Sequence, residues 1–312
     1  MYSLIRLSHY TGLEKEDAMK KLLIASVMAV LLFAAPNINA DEAAPTKTED
    51  GPAAAESSGG GERVVRKCPR CGEILSQSHE HIEDEEEARP YSLGADVSFY
   101  DKYVWRGINI NDDPVFQPAI WFSYKGFTMN VWGNLDLTDI NGMAGEINEV
   151  DYTLDYSWKW DPWHFSAGAI HYTFPNTAFT ATSEIYGAVG YDILLQPTLS
   201  VYYDFDEADG FYASLGIGHS FDLPQLVEPV SATLDLSAQA GFATENWNEF
   251  YFGADHTAFT NILLSSGLTV SIGDYLTVNP TVNYSTIHDR SIRSNVEDDD
   301  VFYYGVTVSA EY

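Results

Sequence analysis

The chain has 312 residues, a formal net charge of −30 at pH 7, and aromatic side chains at 14% of its positions. This acidity excludes nucleic acid as a partner, because phosphate groups would be repelled over the whole surface. The abundance of aromatic and β-branched residues confines intrinsic disorder to local segments. No run of about 18 apolar residues follows the N-terminal region, which excludes a helical membrane span there.

The first 40 residues are predicted to be a secretory signal peptide. From Met19 the chain places two lysines before an apolar run over 22–35, and Ala40 precedes an acidic stretch. This order is typical of a signal that is cleaved after Ala40, and the run is shorter than the ~20 residues of a spanning helix. We expect the true start to be Met19 and the mature protein to leave the cytoplasm. The alternative is a retained N-terminal anchor.

Residues 41–90 are predicted to be an acidic, low-complexity periplasmic tether. The segment is rich in Ala, Pro, Gly, Ser and acidic residues, which cannot bury enough apolar surface to fold. Within it Cys68, Cys71, His79 and His81 supply four metal ligands at a spacing within reach of one zinc ion. An oxidising periplasm would instead join the two cysteines. Three interpretations stay open: a passive tether with a disulfide, a zinc site, or a redox site.

Residues 91–312 are predicted to be continuous β-structure, because period-two alternation recurs between turn signals. The predicted strands span 93–106, 115–124, 127–136, 147–160, 163–173, 184–193, 198–204, 211–221, 232–241, 259–272, 275–286 and 301–312. Tight turns at one end alternate with longer, mostly acidic loops at the other, as in membrane-spanning barrels. No helical periodicity of useful length interrupts the strands.

The two faces of these strands favour a barrel in lipid over a soluble sandwich. Over 149–165 one face is apolar and ends in Trp158 and Trp160, whereas the other is polar. Aromatic rings favour membrane–water interfaces, small polar groups suit a wet lumen, and hydrocarbon forces a sheet to close on itself. We predict an all-β fold, a transmembrane antiparallel up-and-down β-barrel of about 12 strands with a disordered N-terminal tether.

The inward positions of the predicted strands supply the candidate pore lining. These candidates are Asp96, Arg106, Asp136, Glu149, Asp151, Asp155, Asp235, Gln239, Asn279 and Asn283. Acidic groups outnumber basic ones, and carboxylates in a confined passage favour cations. We expect a weak cation preference. The alternative is that the acids form structural ion pairs with Arg106 and Lys159.

Catalytic chemistry is not expected. His219 and Ser220 are adjacent, but neighbours on a strand point to opposite faces, so they cannot easily form a nucleophile–base pair. His171, His256 and His288 lie alone near strand ends, where solvated histidines are ordinary. The acids of "DFDEADG" at 204–210 miss the spacing of a calcium-binding loop. With Asp298, Asp299 and Asp300 they are expected to lie in acidic outer loops. A bridge from these loops to lipopolysaccharide through divalent cations is a further hypothesis.

The last strand resembles the C-terminal signal that the outer-membrane barrel assembly machinery reads. Its candidate residues are Tyr303, Gly305, Val308, Ala310 and Tyr312, of which the last is a terminal aromatic. We therefore expect that machinery and outer-membrane lipid, including lipopolysaccharide, to be partners of the chain.

Three stretches resemble a family of outer-membrane porins known as the TorF family. They lie at 98–120, 124–136 and 196–221, and the run from Tyr103 to Gly107 is the most specific. The resemblance covers 91–312 and implies an outer-membrane barrel with a transport role and no well-defined substrate.

The functional expectation is passive diffusion of small hydrophilic solutes across the outer membrane of a Gram-negative bacterium. No cofactor is expected beyond a zinc ion at the tether. The alternative is a non-conducting barrel that acts as an anchor, an adhesion surface or a metal-handling module.

Overall fold

The computed structural model describes residues 65–67, 74–76, 90–225 and 227–312, and in these segments a closed barrel of twelve antiparallel strands dominates. Two short paired strands, β1 (Val65–Lys67) and β2 (Ile74–Ser76), precede it. The barrel strands are β3 (Tyr91–Tyr100), β6 (Val115–Tyr124), β7 (Phe127–Asp136), β8 (Ile147–Trp160), β9 (Trp163–Thr173), β10 (Thr182–Tyr191), β11 (Thr198–Asp204), β12 (Gly210–Asp222), β13 (Val230–Ala243), β14 (Ala258–Ile272), β15 (Leu276–Ile287) and β16 (Asp300–Glu311).

Each barrel strand pairs with its neighbours in the sequence, and β16 pairs with β3 to close the sheet. The closing register runs from Gly305 opposite Tyr100 to Glu311 opposite Gly94. The predicted fold class, an antiparallel barrel of about twelve strands, is confirmed by this closure. Closure gives the edge strands the backbone hydrogen bonds that hydrocarbon cannot supply.

Two parts of the strand prediction were wrong. The first barrel strand ends at Tyr100, not at residue 106, and a separate hairpin of β4 (Tyr103–Trp105) and β5 (Ile108–Asn111) follows it. Two short helices, α1 (Glu245–Phe252) and α2 (Arg290–Asn295), lie in loops that were predicted to lack helix. Neither they nor any other helix in the described residues is long and apolar enough to cross a membrane.

The two ends of the barrel differ. At one end, which we call the turn end, the first barrel strand β3 begins and the last strand β16 ends. The connections at this end are 125–126, 161–162, 192–197, 223–229 and 273–275. The loop end carries the connections 101–114, 137–146, 174–181, 205–209, 244–257 and 288–299. The loop-end connections are mostly longer, as the sequence predicted, and they include the hairpin and both helices.

The outer face of the barrel is an apolar belt between aromatic girdles. Met129, Ile120 and Leu154 are exposed at 62%, 61% and 51% of their surface. Exposed aromatics at the turn end include Tyr91, Tyr124, Phe127, Trp160, Trp163, Tyr275 and Tyr312, and those at the loop end include Phe205, Phe211 and Phe242. An exposed apolar belt of this kind between two girdles is the surface of a barrel that spans a bilayer.

A charge in this belt should destabilise the barrel, whereas the same charge in the lumen should not. We expect Leu154→Arg, midway along β8, to lower the free energy of unfolding in lipid vesicles by about 2–4 kcal/mol. The matched control is Ser265→Arg, which places the arginine midway along β14 on the inward, partly exposed face. Equal losses in urea titrations of the two variants would contradict the assignment of faces.

Candidate functional site

The lumen is crossed by an inserted hairpin, which we call the plug hairpin (residues 101–112). Arg106 and Gly107 form its two-residue turn with φ of 47° and 90°, the left-handed geometry of a tight hairpin. Gly107 packs against the wall at β15 and β14, two and three strands round from β3, because a Cβ there would approach Ile287 and Asn261 within 2.7 Å and 2.8 Å. The chain therefore leaves the wall after Tyr100, and the turn lies inside the barrel.

A buried ion pair fixes the tip of the plug hairpin. Arg106 donates from Nη1 and Nη2 to Oε1 and Oε2 of Glu184 on β10, at 2.7 Å and 2.8 Å. Tyr172 adds a hydroxyl hydrogen bond of 3.0 Å to Oε2. The Glu184 side chain is fully buried and that of Arg106 is 9% exposed. Bidentate geometry of this kind is among the strongest side-chain pairings.

Aromatic rings surround the Arg106 guanidinium. Its central carbon lies 4.3 Å from the ring centroid of Tyr202, 4.5 Å from Trp105, 4.6 Å from Tyr212 and 5.9 Å from Trp247. Faces of aromatic rings attract cations, and the attraction strengthens where water is excluded. The loop-end half of the lumen thus holds the Arg106–Glu184 pair and its aromatic cage.

Helix α1 closes the loop end over this cage. Trp247 is fully buried, and a Cβ on Gly210 would lie 2.4 Å from its backbone nitrogen, so only glycine allows this approach. Tyr251 donates a 3.1 Å hydrogen bond to Asp204. Burial, followed by the nearby charges of Glu184 and Asp204, raises the pKa of Tyr251 above its ordinary value. The phenol therefore stays a neutral hydrogen-bond donor.

Helix α2 is the second element of this cap. Its N-cap Asp289 accepts hydrogen bonds from the backbone N–H groups of Ser291 and Ile292. Partial burial works against ionisation of Asp289, but these bonds and the nearby His256 prevail and lower its pKa. Asn295 then donates to two backbone carbonyls at the end of α1, so the helices are joined.

The predicted acids of β7 and β8 line the wall beside the plug hairpin. Tyr103 of the hairpin donates a 2.6 Å hydrogen bond to Glu149. Asp155 accepts hydrogen bonds from the hydroxyls of Ser157 and Tyr186. The predicted pore-lining acids that are buried on these strands are Asp136, Glu149, Asp151 and Asp155.

The remaining predicted pore-lining residues lie on other strands and point inward. Asp235 accepts hydrogen bonds from Ser220 and Thr269, and Asn279 donates to the same Thr269 at 2.7 Å. Asp96, Asp235, Gln239 and Asn279 are partly exposed, and Asn283 is 7% exposed. Small, partly exposed polar groups thus line the luminal half near the turn end, which we call the turn-end vestibule.

Arg106 and Lys159 form ion pairs, but with acids that sequence reasoning did not select. Arg106 pairs with Glu184, and Lys159 pairs with Asp161 and Asp192 at the turn end. Glu184 was missed although alternation places it on the inward face of β10. Its partner lies 78 residues away in the sequence, on a turn that was predicted to be wall strand.

The adjacent His219 and Ser220 point to opposite faces, as expected. Ser220 binds Asp235 in the lumen, while the ring of His219 packs on Phe221 outside. The structure does bring another pair together on the outer face, His171 Nδ1 and Ser183 Oγ at 3.0 Å. The ring of His171 stacks on a tyrosine, and within the described residues no carboxylate is bonded to it. In the described part of the chain this pair therefore has no orienting carboxylate of the kind that a catalytic triad contains.

The C-terminal candidates occupy both faces of β16. Val308 and Tyr312 are exposed, and Tyr303 is buried in the lumen beside Tyr100. Gly305 packs so closely on Tyr100 that a Cβ would lie 2.3 Å from its ring. The metal candidates Cys68, Cys71, His79 and His81 lie outside the described residues. Among the described residues no group of three His, Cys, Asp or Glu side chains could hold a metal ion.

The apolar outer belt, the closed sheet and the polar lumen define an integral membrane β-barrel whose loop-end half is occupied by its own hairpin. No protein-family model matches the chain, and no curated protein matches it at a significant level.

The chain is similar in architecture to solved outer-membrane barrels. LpxR from Salmonella typhimurium aligns with a TM-score of 0.46 and 10% identity, over 70% of this chain and 99% of that protein. The NanC porin aligns with a TM-score of 0.41 and 10% identity, over 70% and 98%. An outer membrane channel from Pseudomonas putida F1 aligns with a TM-score of 0.40 and 8% identity, over 75% and 100%. One barrel architecture at such identities hosts unrelated functions.

Removing one partner of the buried ion pair should loosen the plug hairpin. We expect Glu184→Gln to destabilise docking of the hairpin by about 3–5 kcal/mol, because it leaves a buried arginine unpaired. The double variant Arg106→Met with Glu184→Leu should recover most of that loss. The measurement is the rate of protease cleavage within 101–112 in the folded, detergent-solubilised protein.

Asp235→Asn is the matched control, since it neutralises a luminal acid that binds only hydroxyl groups. Cleavage of the Glu184→Gln variant at the control's rate would show that the ion pair does not hold the hairpin.

Proposed function

We propose that this protein is an outer-membrane channel of a Gram-negative bacterium that passes small hydrophilic solutes by diffusion, with the plug hairpin as its constriction. The observation that carries the proposal is the turn-end vestibule. A soluble or purely structural barrel would fill its interior with apolar side chains, whereas this half is lined by partly exposed hydroxyl, amide and carboxylate groups. Such a lining supports water inside the barrel.

The width of the barrel limits what could pass. Twelve strands enclose a narrower lumen than the 16–18 strands of open porins, and the plug hairpin narrows it further. The space left beside the hairpin tip is a cavity of about 60 Å³. Its lining includes Gln239, Asn261 and Ser285 on the wall and Tyr202 and Tyr212 beside the guanidinium. A path along this wall suits ions and small polar molecules and excludes large sugars.

The charge of the lumen supports a weak cation preference. The Arg106 charge is balanced by Glu184, and Lys159 is engaged with two acids at the turn end. The predicted acids Asp96, Asp155 and Asp235 are further inward carboxylates. Uncompensated carboxylates in a confined passage lower the free energy of cations there.

A specific observation favours the second candidate, a non-conducting barrel that serves as an anchor, adhesion surface or metal-handling module. The buried Arg106–Glu184 pair, its aromatic cage and helix α1 together fill the loop-end half of the lumen. A permanently docked plug hairpin would leave a vestibule that is closed at one end.

Orientation and partners belong to the same proposal. In outer-membrane barrels the short turns face the periplasm and the long loops face outward. By this rule we propose that the 41–90 tether lies in the periplasm and that the acidic loops lie near lipopolysaccharide. The barrel assembly machinery would read β16. Membership of the TorF family remains a prediction from the three sequence stretches.

Planar-bilayer recording separates the two functions. We expect small, cation-preferring conductance from the purified protein, and several-fold larger conductance when residues 102–111 are replaced by a Gly-Ser linker that opens the lumen. Reversal potentials in a KCl gradient report the selectivity.

The matched control is replacement of 138–145, an exposed loop of similar length at the same end. It should leave conductance unchanged. No conductance from the plug-less variant would reject the channel in favour of the anchor, and anion selectivity would reject the charge argument.

A further inference from the structure

Two neighbouring luminal side chains on β7 and β8 have polar atoms that nothing in the described residues satisfies. Asn130 is 5% exposed, and neither its amide nitrogen nor its amide oxygen has a hydrogen-bond partner. The hydroxyl of Thr153 is likewise unpartnered. Buried polar groups are nearly always hydrogen-bonded to protein, water or a ligand, so these three atoms need partners from the lumen.

The two residues share a register position on the inward face, and a carboxylate follows on the same strand. Asn130 and Thr153 are register partners in the β7–β8 ladder, a position that brings side chains on one face to about 5 Å between Cβ atoms. Asp155 lies two residues beyond Thr153 on the same inward face and is 9% exposed. Its hydrogen bonds come from the neutral hydroxyls of Ser157 and Tyr186, and within the described residues no cationic side chain pairs with it.

The chemistry of the three groups selects the guest. An amide oxygen, a hydroxyl and a carboxylate are hard oxygen ligands, which bind Na⁺, Mg²⁺ or Ca²⁺. The amide N–H groups of Asn130 can donate to water that the ion retains. An anion would be repelled by Asp155, and a neutral sugar would leave its charge unbalanced. We propose that Asn130, Thr153 and Asp155 form a binding station for a partly hydrated inorganic cation on the channel wall.

The composition of the station favours transit over permanent binding. It holds one carboxylate and two neutral ligands, in keeping with the lack of any group of three His, Cys, Asp or Glu ligands among the described residues. Conduction requires a site that an ion can enter and also leave. The inference rests on the proposed channel and specifies where its cation preference arises.

The station is also placed beside the constriction. Pairing in register links Glu184 on β10 to Ile170, Ile170 to Thr153, and Thr153 to Asn130. Thr153 and Asn130 therefore lie in the same hydrogen-bonded row as Glu184, two and three strand spacings around the wall, or about 10 Å and 14 Å. The station is thus at the level of the hairpin tip.

Terbium luminescence tests the station directly on the full-length protein refolded in detergent. Tb³⁺ takes the oxygen ligands of calcium sites, and Trp121, the register partner of Asn130 on β6, can sensitise its emission. We expect saturable emission that Ca²⁺ displaces, with affinity weakened about tenfold or more by Asp155→Asn and by Asn130→Leu. The matched control Asp235→Asn removes an inward carboxylate bonded to Ser220 and Thr269, and should retain the displaceable component.

The outcomes separate the station from the channel. If Asp155→Asn and Asp235→Asn titrate like the unmodified protein, the three groups hold only water and the proposal is wrong. Recording the same variants in bilayers gives the second readout. Loss of cation preference in Asp155→Asn alone supports the station. Terbium binding that depends on Asp155 in a protein that never conducts would retain the site and reject the channel.

Discussion

The structure depends on one constraint. In hydrocarbon no water can hydrogen-bond to the free N–H and C=O groups at the edge of a sheet. Pairing of β16 with β3 removes the two edges of the sheet. The division of each strand into a lipid face and a luminal face follows from that closure. Because the sheet is closed, alternate residues must face either lipid or an enclosed space. The outward set is apolar and aromatic, whereas the inward set combines polar and acidic groups with the buried aromatic cage at the loop end. The interior then decides what the protein can do, since the exterior only holds it in the bilayer.

Inside the barrel, one ion pair divides the lumen into two environments. Arg106 and Glu184 are buried among aromatic rings at the loop end, where water is displaced. Towards the turn end, groups such as Ser237 and Asn279 are partly exposed. A buried charge needs a partner and a buried amide needs hydrogen bonds. Arg106 and Glu184 are each other's charged partner. In the proposed station, the Asn130 amide would find its partners in a cation and the water that the cation retains.

The strands were predictable because lipid on one side and the lumen on the other require apolar and polar residues to alternate along each strand. Alternation located eleven of the twelve to within two residues, from β6 at Val115–Tyr124 to β16 at Asp300–Glu311, and ran past the end of the first. The pattern failed at Arg106–Gly107, where a glycine inside an apparent strand was in fact a turn. Glu184 and Asn130 could not be singled out. The role of Glu184 depends on Arg106, which is 78 residues away in the sequence. That of Asn130 depends on its lack of a hydrogen-bond partner in the described residues. Neither property leaves a signal in the neighbouring sequence.

The plug hairpin is continuous at both ends with wall strands, β3 on one side and β6 on the other. Because both of its ends are joined to the wall by short connections, the plug hairpin cannot diffuse away. Its effective concentration at its binding place inside the lumen stays high however dilute the protein is. Reseating is therefore a first-order event. In the proposed channel, return of a released hairpin would therefore occur at a rate that does not depend on how many copies share the membrane.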